Sequence, residues 1–410
     1  MDRIIAYIDG LLEKSTPDLP AWNIEKLKGK GGRSAWNYID GCMIKAVLEM
    51  YAITKEERYL RFADDFVDRK VSEDGTIAGY DVNELNIDNI NAGKTLFELY
   101  DLTGKEKYRK AIELVYSQIK KMPRTVQGSF WHKNIYPDQV WLDGLYMCQP
   151  FYMEYETRFN NKRNYDDIYR QFKLVEENML DARTGLYYHA FDCSRKMFWC
   201  DKYTGLSQNF WLRAIGWFSM AMLDTLDKAD PEHANAQGKP CGTEDTAIAP
   251  ERSSGTEDTL TSPENAFCIS SYDSLKQQYI SLMKAMERYM DESGMWYQVV
   301  NLGGMEKNYL ETSGSAIMAY SYLKGSRLGF LPEKYRELGK KTFEGICDKY
   351  LYEDETGLHL GGICLVGGLG GPKKRDGTFA YYMSEPVVND DAKGVGPFLL
   401  AYTELLRQNL

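Results

Sequence analysis

Between short glycine-centred patches, apolar residues in this chain return at helical spacing, and in stretches such as WLRAIGWFSMAML, from Trp211, they occupy every side of the helix. Such segments predict helices buried all round. Two segments also superimpose, MYAITKEERYLRFADDFV from Met50 and LYDLTGKEKYRKAIELV from Leu99, with Tyr51 and Tyr100, Thr54 and Thr103, and Tyr59 and Tyr108 each 49 residues apart. The repeating unit is helix, short turn, helix.

The patches themselves recur. DGTIAGY at Gly75, QGSFWHK at Gly128, TGLYYHA at Gly185, SGMWYQV at Gly294 and TGLHLGG at Gly357 follow at intervals of 53, 57, 109 and 63 residues. The spacing predicts about six helical hairpins, which either stack into an open solenoid or close on themselves. All-round apolar helices and the absence of polar capping repeats favour closure, so the expected fold is all-α: an (α/α)6 barrel, a toroid of inner and outer helices with the patches at one rim. We expect one catalytic domain over residues 1–410. It is interrupted at about 229–265 by a segment rich in Pro, Gly, Ser and Thr that repeats GTEDT and reads as a loop insertion.

Composition narrows the partners. Fifty basic against 60 acidic residues give a net charge of -10, which disfavours nucleic acid and anionic membranes but leaves room for a small mono-anion beside a local cation. Thirty tyrosines and eight tryptophans exceed what a core alone needs, and aromatic rings with polar edges line sugar clefts; packing remains the alternative for most of them. The eight cysteines are scattered without metal-ligand spacing, so we expect reduced thiols in a cytoplasmic protein and no metal or disulfide framework. The opening MDRIIAYIDGLLEKS predicts an amphipathic helix rather than an export signal. No apolar run is long enough to predict a membrane span.

Three charges stand alone in neutral surroundings. Asp143 is the single charged residue from Gln139 to Met153, flanked by Trp141 and Leu142 on one side and Leu145, Tyr146 and Met147 on the other. An unpaired buried carboxylate costs several kcal/mol, roughly, so a role must justify it. Asp88 in LNIDNINAG and Arg213 in YTGLSQNFWLRAIGWFSMAML are similarly isolated. Asp88 follows Gly75 by 13 residues and Asp143 follows Gly128 by 15, which predicts both acids at the same end of the barrel. His132 and His189, each four residues after a patch glycine, are aimed at that rim. Each also has a plain structural reading: a helix cap for Asp88, a satisfied hydrogen-bonder for either histidine, an ion pair with one of the acids for Arg213. Against these, apolar surroundings should favour a proton on Asp143, and Arg213 between Trp211 and Trp217 would suit a small carboxylate with rings to stack on.

The block PRTVQGSFWHKNIYPDQVWLDGLYMCQPFYMEY, from Pro123 to Tyr155, resembles glycoside hydrolase family 105, the unsaturated rhamnogalacturonyl hydrolases. The resemblance extends through NIDNINAGKTLFELYDLTG, SQNFWLRAIGWFSMAM, GMWYQVV, YLETSGSAIMAYSY and SEPVVNDDAKGVGPFLLAY, nearly the whole chain apart from the insertion. It implies an (α/α)6 barrel acting on oligosaccharides that end in a 4,5-unsaturated uronic acid, with Asp143 as general acid/base and Asp88 as second acid. Trp141, His132, His189, Trp211, Arg213 and Trp217 are then expected at the sugar. Ala214 and Ile215 stand where the family commonly has a glycine and an asparagine.

The implied chemistry is hydration of a vinyl ether, which needs one acid and not the two carboxylates around C1 of ordinary glycosidases. The expected activity is release of rhamnose from unsaturated galacturonyl-rhamnose, without cofactor or metal, by a monomer or small homo-oligomer. Alternatives are an unsaturated glucuronyl hydrolase for ulvan, glycosaminoglycan or arabinogalactan fragments, a sugar-binding protein without activity, or an epimerase or lyase on the same barrel.

Overall fold

A computed structural model describes residues 2–28, 35–231 and 270–408. The expected insertion lies outside the described residues from 232 onward, as does His233. The first six long helices are α1 (Asp2–Glu13), α2 (Tyr38–Thr54), α3 (Glu57–Asp68), α4 (Lys94–Thr103), α5 (Glu106–Lys121) and α6 (Leu142–Phe159). The next six are α7 (Tyr165–Met179), α8 (Leu212–Lys228), α9 (Ser271–Glu287), α10 (Thr312–Arg327), α11 (Lys334–Tyr350) and α12 (Ala392–Arg407). Among the described residues no helix is long and apolar enough to cross a membrane.

Even-numbered helices form an inner ring and odd-numbered ones lie outside it. On α6 and α8 nearly every residue of the first three turns is buried, as the all-round apolar pattern requires. Outer α3, by contrast, buries Tyr59, Ala63, Phe66 and Val67, one stripe at helical spacing. Round the ring, α2 packs on the 3-10 turn Ile87–Gly93 that leads into α4, that turn on α6, α6 on α8, α8 on α10, α10 on α12, and α12 on α2. The ring is closed, so the fold is the (α/α)6 barrel and not an open solenoid.

Each patch glycine has a positive φ, from 72° at Gly185 to 121° at Gly357, which bends the chain back from the end of an outer helix toward the ring. The returning strand then fastens the start of an inner helix. The amide of Ile87 donates to His132 O, Leu142 to His189 O, Leu212 to Gln298 O, Thr312 to Gly362 O and Ala392 to Trp22 O, at distances of 2.9 to 3.2 Å. Among the described residues four of these five stitches have an acceptor that follows a patch glycine, Gly128, Gly185, Gly294 or Gly357, and in the fifth the acceptor, Trp22, precedes α2 and joins the end of the ring to its beginning. Two short strands, β1 (Gln139–Trp141) and β2 (Ala190–Asp192), extend one stitch into an antiparallel pair with Trp141 opposite Ala190.

Close packing within the ring has little tolerance. A methyl group on Gly41 of α2 would sit 2.6 Å from Cα of Ala92, in the turn that carries Asp88. Both atoms are fixed by backbone, so Gly41→Ala is expected to destabilise the protein by about 1–3 kcal/mol. A denaturant titration checks it; an unchanged midpoint would contradict this packing.

Candidate active site

The stitches place the chemistry. Because Leu142 N bonds His189 O, with β1 paired to β2, Asp143 at the second position of α6 is brought beside the His189 ring. Because Ile87 N bonds His132 O, and Asn86 bridges Lys133, Asp88 is brought beside His132 and Lys133. Arg213 takes the second position of α8, equivalent to Asp143 on α6. Asp88, His132, Trp141, Asp143, Trp211, Arg213 and Trp217 all line one cavity of about 220 Å³. His189 stands just behind its wall, fully buried.

The two acids have different surroundings. Lys133 Nζ lies 2.6 Å from Asp88 Oδ2, and His132 Nε2 lies 3.5 Å from Oδ1. Burial alone would raise the Asp88 pKa, but Lys133 and His132 outweigh it and hold the carboxyl below its ordinary range. Asp88 is therefore ionised. It does not cap its turn; Asn86 does, accepting from the Asp88 amide at 3.2 Å. Asp143, 16% exposed, has no lysine or arginine within ion-pair distance among the described residues, and its Oδ2 accepts no aligned hydrogen bond. His189 Nε2 faces that oxygen at 3.4 Å.

The histidines are held from behind. His189 Nδ1 meets the Tyr382 hydroxyl at 2.8 Å, and burial raises the pKa of that phenol well above its ordinary value; in the tautomer where the hydroxyl donates to Nδ1, the ring hydrogen is on Nε2, facing Asp143. His132 stacks on Trp141 at 4.6 Å, which itself lies parallel to Tyr136 at 5.5 Å. Burial pushes the His132 pKa down to about 4 from 6.5, against the opposing pull of Asp88. A neutral imidazole is favoured in the fold, so stability is full above about pH 6.5 and falls as pH drops toward 4, by about 3 kcal/mol in all. His132→Gln should flatten this part of the stability profile in melts taken between pH 7 and 4. An unaltered acid slope would remove His132 as its source.

Arg213 is buried and does not pair with either site acid. Its Nη1 donates to Ser313 Oγ at 3.1 Å and to the Cys364 carbonyl, while its guanidinium lies 4.8 Å from the Trp211 ring; Glu311 is the carboxylate that chiefly acts on it. Trp211 is fixed by Gln298 Oε1 at 3.1 Å and Trp217 by stacking on Tyr146 at 4.8 Å. Ala214 and Ile215 are fully buried in the packing of α8 and do not line the cavity.

Several lining residues carry no signal of isolation in the sequence. Lys133, Glu25 and Arg375 all contribute; Glu25 and Arg375 sit among other charges in IEKLK and KKRDG, whereas Lys133, the single charge between Arg124 and Asp138, does carry that signal and was missed. Gly367 and Gly368 pass so close to Trp211 and Trp141 that a side chain on Gly367 would enter the Trp211 indole. Tyr382 also escapes sequence reading, because its role depends on a contact 193 residues away.

A model described as Glycosyl Hydrolase Family 88 matches residues 18–238 and 269–409. A solved structure of a family 105 glycoside hydrolase from C. acetobutylicum ATCC 824 is 37% identical, with a TM-score of 0.83 over 100% of this chain and 99% of that one. The protein described as "24.9 kDa protein in picA locus", from Rhizobium radiobacter, is 34% identical over 267 residues, 63% of this chain and 98% of its own length. Unsaturated rhamnogalacturonyl hydrolase YesR from Bacillus subtilis is 26% identical over 320 residues, 77% of this chain and 76% of its own. A family model that spans nearly the whole barrel and a family 105 structure matched end to end establish that this chain belongs to glycoside hydrolase family 105 and is an unsaturated uronyl hydrolase acting on oligosaccharides.

Proposed function

We propose that this enzyme is an unsaturated rhamnogalacturonyl hydrolase, with the whole chain as one catalytic unit, Asp143 as general acid and base, and Asp88 as its ionised companion. The observation that carries the assignment of roles is the asymmetry of the acids: Asp88 is bound by Lys133 at 2.6 Å, whereas among the described residues the His189 ring is the one charged or titratable partner that Asp143 Oδ2 meets within ion-pair distance. Paired titratable groups in unlike environments divide acid and base work between them. The kinship with YesR supports rhamnogalacturonan as the parent polymer. Among the described residues every cysteine is a free thiol, which supports a reducing compartment such as the cytoplasm.

In the proposed reaction Asp143 gives its proton to C4, the π electrons of C4=C5 forming the new C–H bond. Positive charge appears at C5 and is shared with the ring oxygen. The Asp143 carboxylate stabilises it, then takes a proton from water as the water oxygen bonds to C5. The hemiketal opens by breaking the bond from C5 to the ring oxygen, leaving a ketone at C5. The hemiacetal now at C1 collapses to an aldehyde and releases the neighbouring sugar with its glycosidic oxygen. Arg213 would hold the uronate carboxylate and His132 would contact the reacting sugar, while His189, which lies behind the wall and not at the cavity surface as the sequence suggested, would act through Asp143; Trp141, Trp211 and Trp217 would present ring surface to the sugar.

The test is incubation with lyase-digested rhamnogalacturonan in heavy water. Ultraviolet absorbance of the conjugated double bond should vanish and the product should carry one deuterium at C4. Persistence of the absorbance with this substrate, together with its loss from unsaturated glucuronyl fragments, would overturn the rhamnogalacturonyl assignment.

A further inference from the structure

Apart from Arg213, the cations that line the cavity are already matched by carboxylates. Lys133 is taken by Asp88 at 2.6 Å. Arg375, on the loop that forms the opposite wall, is locked through Nε to Glu385 Oε1 at 3.0 Å, and the loop itself is pinned by reciprocal backbone bonds between Gly370 and Arg375 at 2.8 and 3.1 Å. Glu385 is buried, so this pair is shielded from screening by salt. Behind the wall, Lys393 is held between Glu25, itself a lining residue, at 2.8 Å and Asp391 at 3.0 Å. Lys94, beneath the floor, is separated from the cavity by Tyr146, whose ring centroid is 3.3 Å from its Nζ, and by Trp217 stacked on that ring.

The substrate brings one obligatory anion, the uronate carboxylate, and among the described lining residues Arg213 is the cation with no carboxylate in ion-pair contact and so the one left to receive it. We infer that the cavity selects a leaving sugar without charge: a sulfate or second carboxylate on that sugar would find its cations occupied and would face the carboxylates of Glu25 and Asp88. The Arg375–Glu385 pair is the specificity element, because Glu385 neutralises the cation best placed on the far wall. Like charges opposed in a cavity suppress the wrong partner rather than strengthen the right one. The inference rests on the activity proposed above only in taking the uronate to bind at Arg213; it does not depend on the leaving sugar being rhamnose.

The experiment compares an unsaturated uronyl-rhamnose disaccharide with its sulfated form, and an unsaturated uronyl-N-acetylhexosamine disaccharide with its sulfated form, using the full chain. For any compound not turned over, inhibition of the uronyl-rhamnose reaction or direct calorimetry replaces kcat/KM as the readout. Within each pair the neutral compound should be preferred by about 10²-fold at low salt, and added salt should narrow the gap. Glu385→Gln should shift the preference toward the sulfated member by about tenfold, and Arg375→Gln should not. Equal use of both members of a pair, with no response to salt, would overturn the inference even if the Glu385 variant failed to fold. Preference for neutral hexosamine with no action on rhamnose would instead sink the rhamnogalacturonyl reading and leave the charge selection standing.

Discussion

Asp143→Asn is expected to lower kcat by at least ~10³-fold with little change in KM. The amide has nearly the shape of the acid but has no proton acidic enough to protonate carbon, and it cannot take one back from water. Since among the described residues Asp143 has no lysine or arginine partner and its Oδ2 makes no aligned hydrogen bond, the fold has little to lose, and the melting temperature should stay close to that of the parent protein. Asp88→Asn is different: it leaves Lys133, 22% exposed, without its partner, so both activity and stability should fall. Initial rates of absorbance loss and thermal melts on both variants separate the two roles. Near-normal turnover by the Asp143 variant would reject the proposed acid.

The second large effect is expected behind the acid. His189→Ala should reduce kcat by about 10²-fold, since the ring faces Asp143 Oδ2 at 3.4 Å and fixes its position. Tyr382→Phe removes the hydroxyl that meets Nδ1 at 2.8 Å, freeing the ring to carry its hydrogen on either nitrogen. Loss of that one hydrogen bond should cost about tenfold in kcat and alter the pH profile, with KM nearly constant. If Tyr382→Phe leaves the pH profile as it was, tautomer control by the phenol is not part of the mechanism.

Helices surrounded by apolar residues and a glycine every 50 to 60 residues were enough to read the barrel, because both are local consequences of burial and of positive φ. Isolation in a neutral run led to Asp88, Asp143 and Arg213, since a buried charge without sequence neighbours must find its partner across the fold. Lys133, alone between Arg124 and Asp138, satisfies the same criterion and was overlooked. The criterion is blind to Glu25 and Arg375, whose charges are surrounded by others along the chain and meet their counterions only in space. It is also blind to neutral residues such as Tyr382, and to Gly367, whose smallness matters only because Trp211 lies against it. The departure at Ala214 and Ile215, which the sequence places next to Arg213, belongs to core packing: both side chains are fully buried and neither lines the cavity that Arg213 and Trp217 face.

The five stitches have a consequence for how the molecule opens. In a linear array of hairpins the outermost unit frays first and independently, but here Ala392 is bonded to Trp22 and four of the inner helices, α4, α6, α8 and α10, are fastened by the strand of the repeat beside them. No unit is terminal, and none can leave without releasing a neighbour. The amides of Ile87, Leu142, Leu212, Thr312 and Ala392 should therefore share one opening free energy and lose protection together, as a single cooperative event rather than in sequence.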